Sequence, residues 1–101
     1  DCFATAEILH YENLGICGEG EAGRMVDEGA TSIGGKIPVN ASGGLLSKGH
    51  PLGATGVANV CEVVWHLRGE AGGRQVEGAK VGLAHVIGLG SACTIQILEK
   101  V

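Results

Sequence analysis

Aromatic residues, methionine and proline are scarce in this sequence. Its 101 residues include one Phe, one Trp, one Tyr, one Met and two Pro. The core must therefore be built from aliphatic residues, which dominate a hydrophobic fraction of 45%. With a mean hydropathy of +0.25 the chain is too apolar to be disordered, and its length corresponds to at most one ordinary domain.

Positive charge and long hydrophobic runs are also scarce. Seven Lys and Arg stand against eleven Asp and Glu, which gives a net charge of -4 with no basic cluster. Nucleic acid and anionic membrane surfaces are therefore not expected as partners. The longest apolar stretch is interrupted by Glu62 and falls short of the roughly 18 residues that a membrane span needs, so no span is predicted.

The four cysteines lack the spacings of metal or redox motifs. Cys2, Cys17, Cys61 and Cys93 form no CxxC pair, and no two histidines stand at zinc spacing, so we expect no metal. Because Cys61 falls in a helical pattern and Cys93 in a strand pattern, the sequence favours reduced thiols over disulfides. Cys17, Cys61 and Cys93 are predicted to be packing residues.

Glycine, by contrast, is abundant and unevenly distributed. Twelve of the 19 glycines lie between residues 15 and 56, and they show no collagen period. So many glycines in an aliphatic chain indicate backbone that packs closely on other backbone or on a ligand. A stretch this long without periodic structure is uncommon unless it is functional, so we predict a functional loop there.

Two helices are predicted on either side of this stretch. Residues 4–14 read as a helix whose inner face carries Ala6, Leu9 and Asn13. Residues 54–68 form a helical pattern that is apolar in nearly every direction. A helix of that kind belongs in the middle of a larger protein, because a chain this small can hardly cover it.

The last part of the chain predicts a hairpin. Residues 80–85 and 93–98 read as two short strands, and Gly88 and Gly90 lie in the predicted connection. A tight antiparallel turn suits this pattern. Helices combined with such a hairpin predict a layered α/β fold.

The densest chemical signal is NASGGLLSKGHPLGATG, residues 40–56. Pro51 fixes its own φ and pushes His50 out of the helical region, so the imidazole is held at a defined angle. A histidine placed there suits proton transfer or hydrogen bonding to an oxyanion. From the spacing alone, a glycine-rich turn with a surface histidine is an equally good interpretation.

This segment resembles the C-terminal thiolase signature around the Gly-His-Pro motif. DCFATAE, at the start of the chain, resembles the His-Asp-Cys-Phe loop of sterol-carrier-protein-type and archaeal acetoacetyl-CoA thiolases, with the His falling before Asp1. LRGEAGGRQVEGAKVGLAHVIGLG, residues 67–90, resembles the end of the same enzymes. The resemblance covers residues 1–100, less than half of a complete thiolase, so we expect residues 1–101 to be a piece of a longer protein.

The fold implied by this resemblance is α/β, the C-terminal portion of the thiolase fold. In that fold α/β/α layers enclose a mixed sheet and a buried central helix. Residues 1–101 would form a portion of the C-terminal thiolase domain, with the N-terminal half and the CoA loop region lying outside them.

The resemblance also implies catalytic roles. His50 matches the histidine that helps to activate the nucleophilic cysteine and donates to the thioester oxyanion. Cys2 matches the acid/base cysteine of the His-Asp-Cys-Phe loop. Other thiolases carry that cysteine in a Cys-x-Gly motif, but the matching window, Val86 to Gly88, has none. Gly88 keeps its implied function, a backbone N–H that faces the second oxyanion.

Substrate-binding roles are implied for His85 and Gly90, which lie on either side of Gly88. A strand-end histidine satisfied by local contacts is an equally good interpretation of His85. The related enzymes usually have Asn after this histidine, whereas Val86 stands here. That difference bears on substrate preference and on the reaction itself.

The implied parent reaction is thiolysis of a 3-oxoacyl-CoA by CoA, or the reverse condensation. CoA enters as a substrate, and no cofactor is expected. The expected partners are acyl-CoA, the N-terminal thiolase half that supplies the nucleophilic cysteine, and a second subunit in a homodimer or larger assembly. Without that cysteine, the 101 residues alone are predicted to be inactive.

Two alternatives remain open at this stage. One is a thiolase-like aldolase that cleaves a steroid side-chain CoA thioester without an acyl-enzyme. The other is a non-catalytic module that binds acyl-CoA or lipid. The expected location is the cytoplasm, or the peroxisome if the source is eukaryotic.

Overall fold

The structure is a computed structural model that describes residues 2–101. Asp1, the first residue of the Asp-Cys-Phe motif, lies outside the described residues. The chain divides into two units, residues 1–49 and residues 50–101. The assignment of residues 1–101 to one domain portion stays a prediction.

The first unit begins with helix α1, Ala4–Asn13, which confirms the predicted helix. Gly15, with a φ of +69°, follows the C-cap and allows the chain to turn away. The predicted inner face is wrong, because Leu9 is 59% exposed while Tyr11 is only 3% exposed. Tyr11 is the only tyrosine, and its hydroxyl donates to Glu7 one turn earlier, so the buried face is rotated towards these two residues.

The glycine-rich stretch contains more regular structure than its sequence indicates. Helix α2 spans Ala22–Asp27 and helix α3 spans Gly44–Lys48, where the sequence predicts a loop. Each has only five or six residues, so neither extends through the two turns over which a helical repeat becomes visible. Gly43, with a φ of +90°, precedes α3 as its N-cap, and Leu45 within the helix is buried.

The second unit is organised around helix α4, Thr55–Arg68, close to the predicted bounds. It ends at Gly69, which adopts the left-handed conformation at φ 79°, as helix C-termini commonly do. Thr55 and Leu67 are buried, whereas Val57 is 67% exposed and Trp65 is 42% exposed. The described residues therefore cover only part of this apolar helix, and its central place in a larger protein stays a prediction.

The hairpin follows α4, with β1 spanning Val81–Gly88 and β2 spanning Ala92–Glu99. The strands pair antiparallel, as predicted, but they are longer than the sequence indicates. Gly88 is the last residue of β1 and pairs with Ala92, so its predicted place in the connection is wrong. The actual turn has positive φ at both Leu89 (50°) and Gly90 (70°), the conformation that type I′ turns require.

One face of β1 packs against α4. A Cβ atom on Gly82 would lie 2.5 Å from Val63 Cγ1, and one on Gly56 would lie 3.7 Å from Val86 Cγ1. Because side chains alternate along a strand, His85 projects from the opposite face. Helices and a sheet within one chain confirm the α/β class. Among residues 2–101 the sheet has two antiparallel strands, and a mixed sheet would require further strands.

Candidate active site

His50 stands at the start of the second unit, five residues ahead of Thr55 in the first turn of α4. Its Nδ1 atom lies 2.7 Å from Thr55 Oγ1. The Thr55 side chain is almost completely buried, at 2% exposure, and its hydroxyl donates to the Pro51 carbonyl at 3.2 Å. The backbone N–H groups of Ala54 and Thr55 also donate to that carbonyl. These hydrogen bonds connect the loop that carries His50 and Pro51, here called the histidine loop, to the start of α4.

This chain of hydrogen bonds assigns the tautomer of His50. A hydroxyl has one hydrogen to donate, and that of Thr55 is directed to the Pro51 carbonyl. With the hydroxyl hydrogen on the Pro51 carbonyl, Thr55 Oγ1 accepts from His50 Nδ1–H, and the Nε2 lone pair is available on the neutral ring. Such a ring accepts a proton at Nε2 and, once charged, donates from the same atom. The two roles that the resemblance implies for His50, general base and oxyanion donor, would thus use the same nitrogen in successive protonation states.

Cys2 belongs to the first unit and lies immediately before Phe3, the N-cap residue of α1. Its side chain is half-buried. Within the described chain none of the four cysteines forms a disulfide. The acid/base role of Cys2 stays a prediction that follows from the resemblance.

Gly88 and Gly90 are placed together by the hairpin turn. The N–H of Ser91 donates to the Gly88 carbonyl at 3.1 Å, which closes the turn around Gly90. A Cβ atom on Gly88 would meet only Ala92 Cβ, at 3.7 Å, an ordinary contact. Space around Gly88 therefore does not require glycine. Its oxyanion role and the substrate-binding role of Gly90 stay predictions.

His85 has a partner that its position in the sequence does not indicate. Its Nε2 atom lies 3.4 Å from Cys93 Sγ. In the register of the hairpin His85 faces Ile95, so Cys93 is its diagonal neighbour across the strands. Cys93 is exposed, and its prediction as a packing residue is wrong. Only the strand register could have revealed this pair, because the two residues are eight positions apart.

A polar cluster on the last turns of α4 was also missed. Arg74 donates through Nε and Nη2 to Glu62 at 2.5 and 2.9 Å, and its guanidinium lies 5.7 Å from the centre of the Trp65 ring. These hydrogen bonds lower the pKa of Glu62. His66 Nδ1 accepts from the Val76 N–H at 3.0 Å. The cluster holds the segment after α4 against the helix, a structural role.

His66 is largely buried beside this cluster, with 11% of the side chain accessible. Its Nε2 lies 3.3 Å from Glu62 Oε1, within ion-pair distance but without the alignment of a hydrogen bond. Because Nδ1 accepts a hydrogen bond, the neutral ring carries its proton on Nε2.

The first unit contains an open cleft of about 650 Å³. Its wall includes Glu7 and Tyr11 from α1 together with Thr31 and Val39. Burial, followed by the hydrogen bond to Glu7, raises the pKa of Tyr11 above its ordinary value. The phenol therefore stays protonated and serves as a hydrogen-bond donor at the wall of the cleft.

Neither a group of metal-binding side chains nor a membrane-spanning helix occurs among residues 2–101. Among residues 2–101 no three His, Cys, Asp or Glu side chains lie close enough to hold a metal ion. The longest described helix, α4, has 14 residues, and none of the described helices has the length and hydropathy to cross a membrane.

Comparison with known proteins identifies the family. Residues 1–100 match the thiolase C-terminal domain-like family, and the chain belongs to it. It is 59% identical over 97 residues to sterol carrier protein 2 of Rattus norvegicus, which covers 96% of this chain and 18% of that protein. It is 54% identical over 101 residues to an acetyl-CoA acetyltransferase of Methanothermobacter thermautotrophicus; the match covers 99% of this chain and 26% of that protein.

A third relative is the benzoylsuccinyl-CoA thiolase subunit BbsB of Thauera aromatica. It is 43% identical over 91 residues, which is 89% of this chain and 24% of that protein. The chain thus spans about a fifth to a quarter of the length of these relatives. The resemblance to thiolases and the fold class are confirmed.

Proposed function

We propose that the chain carries the Gly-His-Pro histidine and the acid/base cysteine of a thiolase that cleaves 3-oxoacyl-CoA with CoA, or condenses two acyl-CoAs. The observation that carries the proposal is the hydrogen-bond chain from His50 through Thr55 to the Pro51 carbonyl. It leaves Nε2 of His50 available for proton transfer. A surface histidine in a glycine-rich turn would not need a buried hydroxyl to set its tautomer.

The proposed reaction uses this nitrogen in its first step. His50 Nε2 takes the proton of a nucleophilic cysteine, whose sulfur attacks the 3-oxo carbonyl. The carbon–carbon bond then breaks, acetyl-CoA leaves as its enolate, and Cys2 protonates the α-carbon. An acyl-enzyme thioester remains. The thiol of a second CoA gives its proton to the Cys2 thiolate and attacks this thioester; the shortened acyl-CoA leaves, and the released cysteine thiolate takes its proton back from His50.

The remaining predicted site residues have supporting roles in this proposal. The Gly88 N–H donates to an oxyanion, and His85 and Gly90 contact the substrate. Val86 occupies the place at which other thiolases carry their acid/base cysteine, so Cys2 is left with that role. CoA takes part as a substrate, and the proposed reaction uses no cofactor.

The nucleophilic cysteine comes from a partner region in the proposal, the N-terminal thiolase half. The complete enzyme is a homodimer or larger assembly, and the 101 residues alone have no activity. We place it in the cytoplasm, or in the peroxisome of a eukaryote. Names of thiolase relatives that contain acetyl-CoA or benzoylsuccinyl-CoA support acyl-CoA as the substrate class.

The test is an assay of 3-oxoacyl-CoA cleavage by the complete enzyme that contains these residues. His50→Ala and Cys2→Ala should each abolish turnover, while the matched controls His10→Ala and Cys17→Ala should retain it. Cleavage by the Cys2→Ala enzyme would contradict the acid/base assignment. Thiolysis by the isolated 101 residues would contradict the need for a second half.

A second candidate function is acyl-CoA or lipid binding without catalysis. Relatives named sterol carrier protein 2 and non-specific lipid-transfer protein-like 2 favour it, as does the open cleft beside Tyr11. Calorimetric titration of acyl-CoA into the complete protein separates the two functions. Binding with no turnover by the unmodified protein would support the carrier and reject the thiolase.

A further inference from the structure

We propose that Cys93 and His85 form a reactive thiol–imidazole pair at which Cys93 undergoes exchange with low-molecular-weight disulfides. The proposal does not depend on the thiolase reaction, since it concerns the chemistry of one exposed thiol. It rests on the distance between the two side chains, on their place in the hairpin and on a contrast with Cys17.

The hairpin holds both side chains in position. His85 lies in the middle of β1 and Cys93 near the start of β2, and the two strands are paired along their whole length. The His85 carbonyl also accepts a hydrogen bond from Asn59 Nδ2 at 3.3 Å, which ties this part of β1 to α4. A nucleophile and a base within hydrogen-bond reach, on two paired strands, form the arrangement that activates thiols.

Accessibility distinguishes Cys93 from the other thiols. Cys93 is exposed, whereas Cys2, Cys17 and Cys61 are half-buried. An incoming disulfide must approach the sulfur in line with its own S–S bond, so an exposed thiol reacts faster than a shielded one. The flanking strand residues Ala92 and Thr94 are exposed as well.

Cys17 supplies an internal contrast within the same chain. Partial burial and the carboxylates of Glu12 and Glu21 raise the pKa of the Cys17 thiol, so less of it is thiolate at neutral pH. Cys93 instead has an imidazole nitrogen 3.4 Å away. The two cysteines should therefore differ in reactivity towards the same reagent.

The incoming disulfide is the oxidant in the exchange step and also supplies the leaving group. The Cys93 thiol gives its proton to His85 Nε2, and the resulting thiolate attacks one sulfur of the disulfide R–S–S–R. A Cys93 Sγ–S–R bond forms as the original S–S bond breaks. The leaving thiolate takes the proton from the imidazolium, and a thiol of the same class reverses the step.

The experiment treats the purified complete protein with oxidised glutathione and follows each cysteine by peptide mass spectrometry. Cys93 should form the mixed disulfide roughly tenfold faster than Cys17 at neutral pH. His85→Gln should slow Cys93 roughly tenfold and leave the Cys17 rate unchanged. His10→Gln, a matched change on α1, should alter neither rate.

Either of two results would overturn the proposal. One is a Cys93 rate that is no faster than that of Cys17 in the unmodified protein, a comparison that needs no variant to fold. The other is an unchanged Cys93 rate in a His85→Gln protein whose circular dichroism matches the unmodified one. Cys93→Ser should abolish the fast phase and confirms which thiol produces it.

Discussion

Replacing Thr55 by valine is the sharpest perturbation that the structure offers. Valine has nearly the same shape as threonine, so the buried site next to His50 stays filled. The change removes only the hydroxyl that accepts from His50 Nδ1 at 2.7 Å and donates to the Pro51 carbonyl at 3.2 Å. Thr55 acts through His50, so it is a positioning residue.

The magnitude follows from the charge that His50 acquires during the proposed reaction. A neutral hydrogen bond contributes about 0.5–1.5 kcal/mol, and one to a charged group about 1.5–3 kcal/mol. The bond to Thr55 therefore strengthens by about 1.5 kcal/mol when the ring becomes an imidazolium. Since only interactions that strengthen towards the transition state raise kcat, Thr55→Val should lower kcat roughly tenfold with little change in KM.

The assay is 3-oxoacyl-CoA thiolysis by the complete enzyme, with kcat and KM measured separately. Thr55→Ser, which keeps the hydroxyl, should restore most of the activity. A purely structural role would instead reduce the folded fraction, which thermal unfolding of each variant measures. Unchanged kcat in Thr55→Val, or an equal fall in Thr55→Ser, would refute the tautomer assignment.

Three further predictions concern the stability of the second unit, each measured by denaturant unfolding of the purified protein. Glu62→Gln should destabilise it by about 1 kcal/mol, a value kept small because the Arg74 side chain is 38% exposed. Because the pKa of Glu62 is lowered in the folded state, its ionised form stabilises the fold at pH values above its ordinary pKa of 4.5. This stabilisation is lost as the pH falls below 4.5. The unfolding free energy of Glu62→Gln should therefore fall less in acid than that of the unmodified protein, and an equal fall would contradict the reasoning. Leu89→Asn should stabilise by about 0.5–1 kcal/mol, because Leu89 has a φ of 50° that asparagine tolerates better, and Leu89→Ala, which keeps the strain, should not. Gly82→Ala should cost about 1–3 kcal/mol, since its Cβ would lie 2.5 Å from Val63 Cγ1, whereas Gly73→Ala, with open space around it, should cost less.

The sequence predicts those elements whose signals are local. The helices of residues 4–14 and 54–68 have long apolar repeats and terminal glycines, and the structure places α1 and α4 there. Pro51 restricts His50 through bonded geometry alone, so the histidine loop is visible without any fold. The hairpin is also predicted from local signals, two short apolar segments with glycines between them, although its strands extend beyond the predicted ends.

Contacts that depend on how elements pack were not predictable. The inner face of α1 carries Tyr11 rather than Leu9, because the elements packed around the helix decide which side is covered and the apolar pattern of the helix does not record them. In the sequence Glu62 only interrupts an apolar stretch, and nothing there indicates that it pairs with Arg74, twelve residues later. Cys93 reads as an apolar strand residue until the register brings His85 to it.

The two faces of β1 carry different chemistry, and their separation depends on register. Val86 faces the first turn of α4 near Gly56, whereas His85 faces the other way towards Cys93. A slip of one residue would exchange these faces, because side chains alternate with a period of two. Such a slip would also place Val81 or Leu83 next to Val63, where even the Cβ atom of an alanine at position 82 would lie 2.5 Å from Val63 Cγ1. Gly82 therefore favours the register in which Val86 faces α4 and His85 faces Cys93.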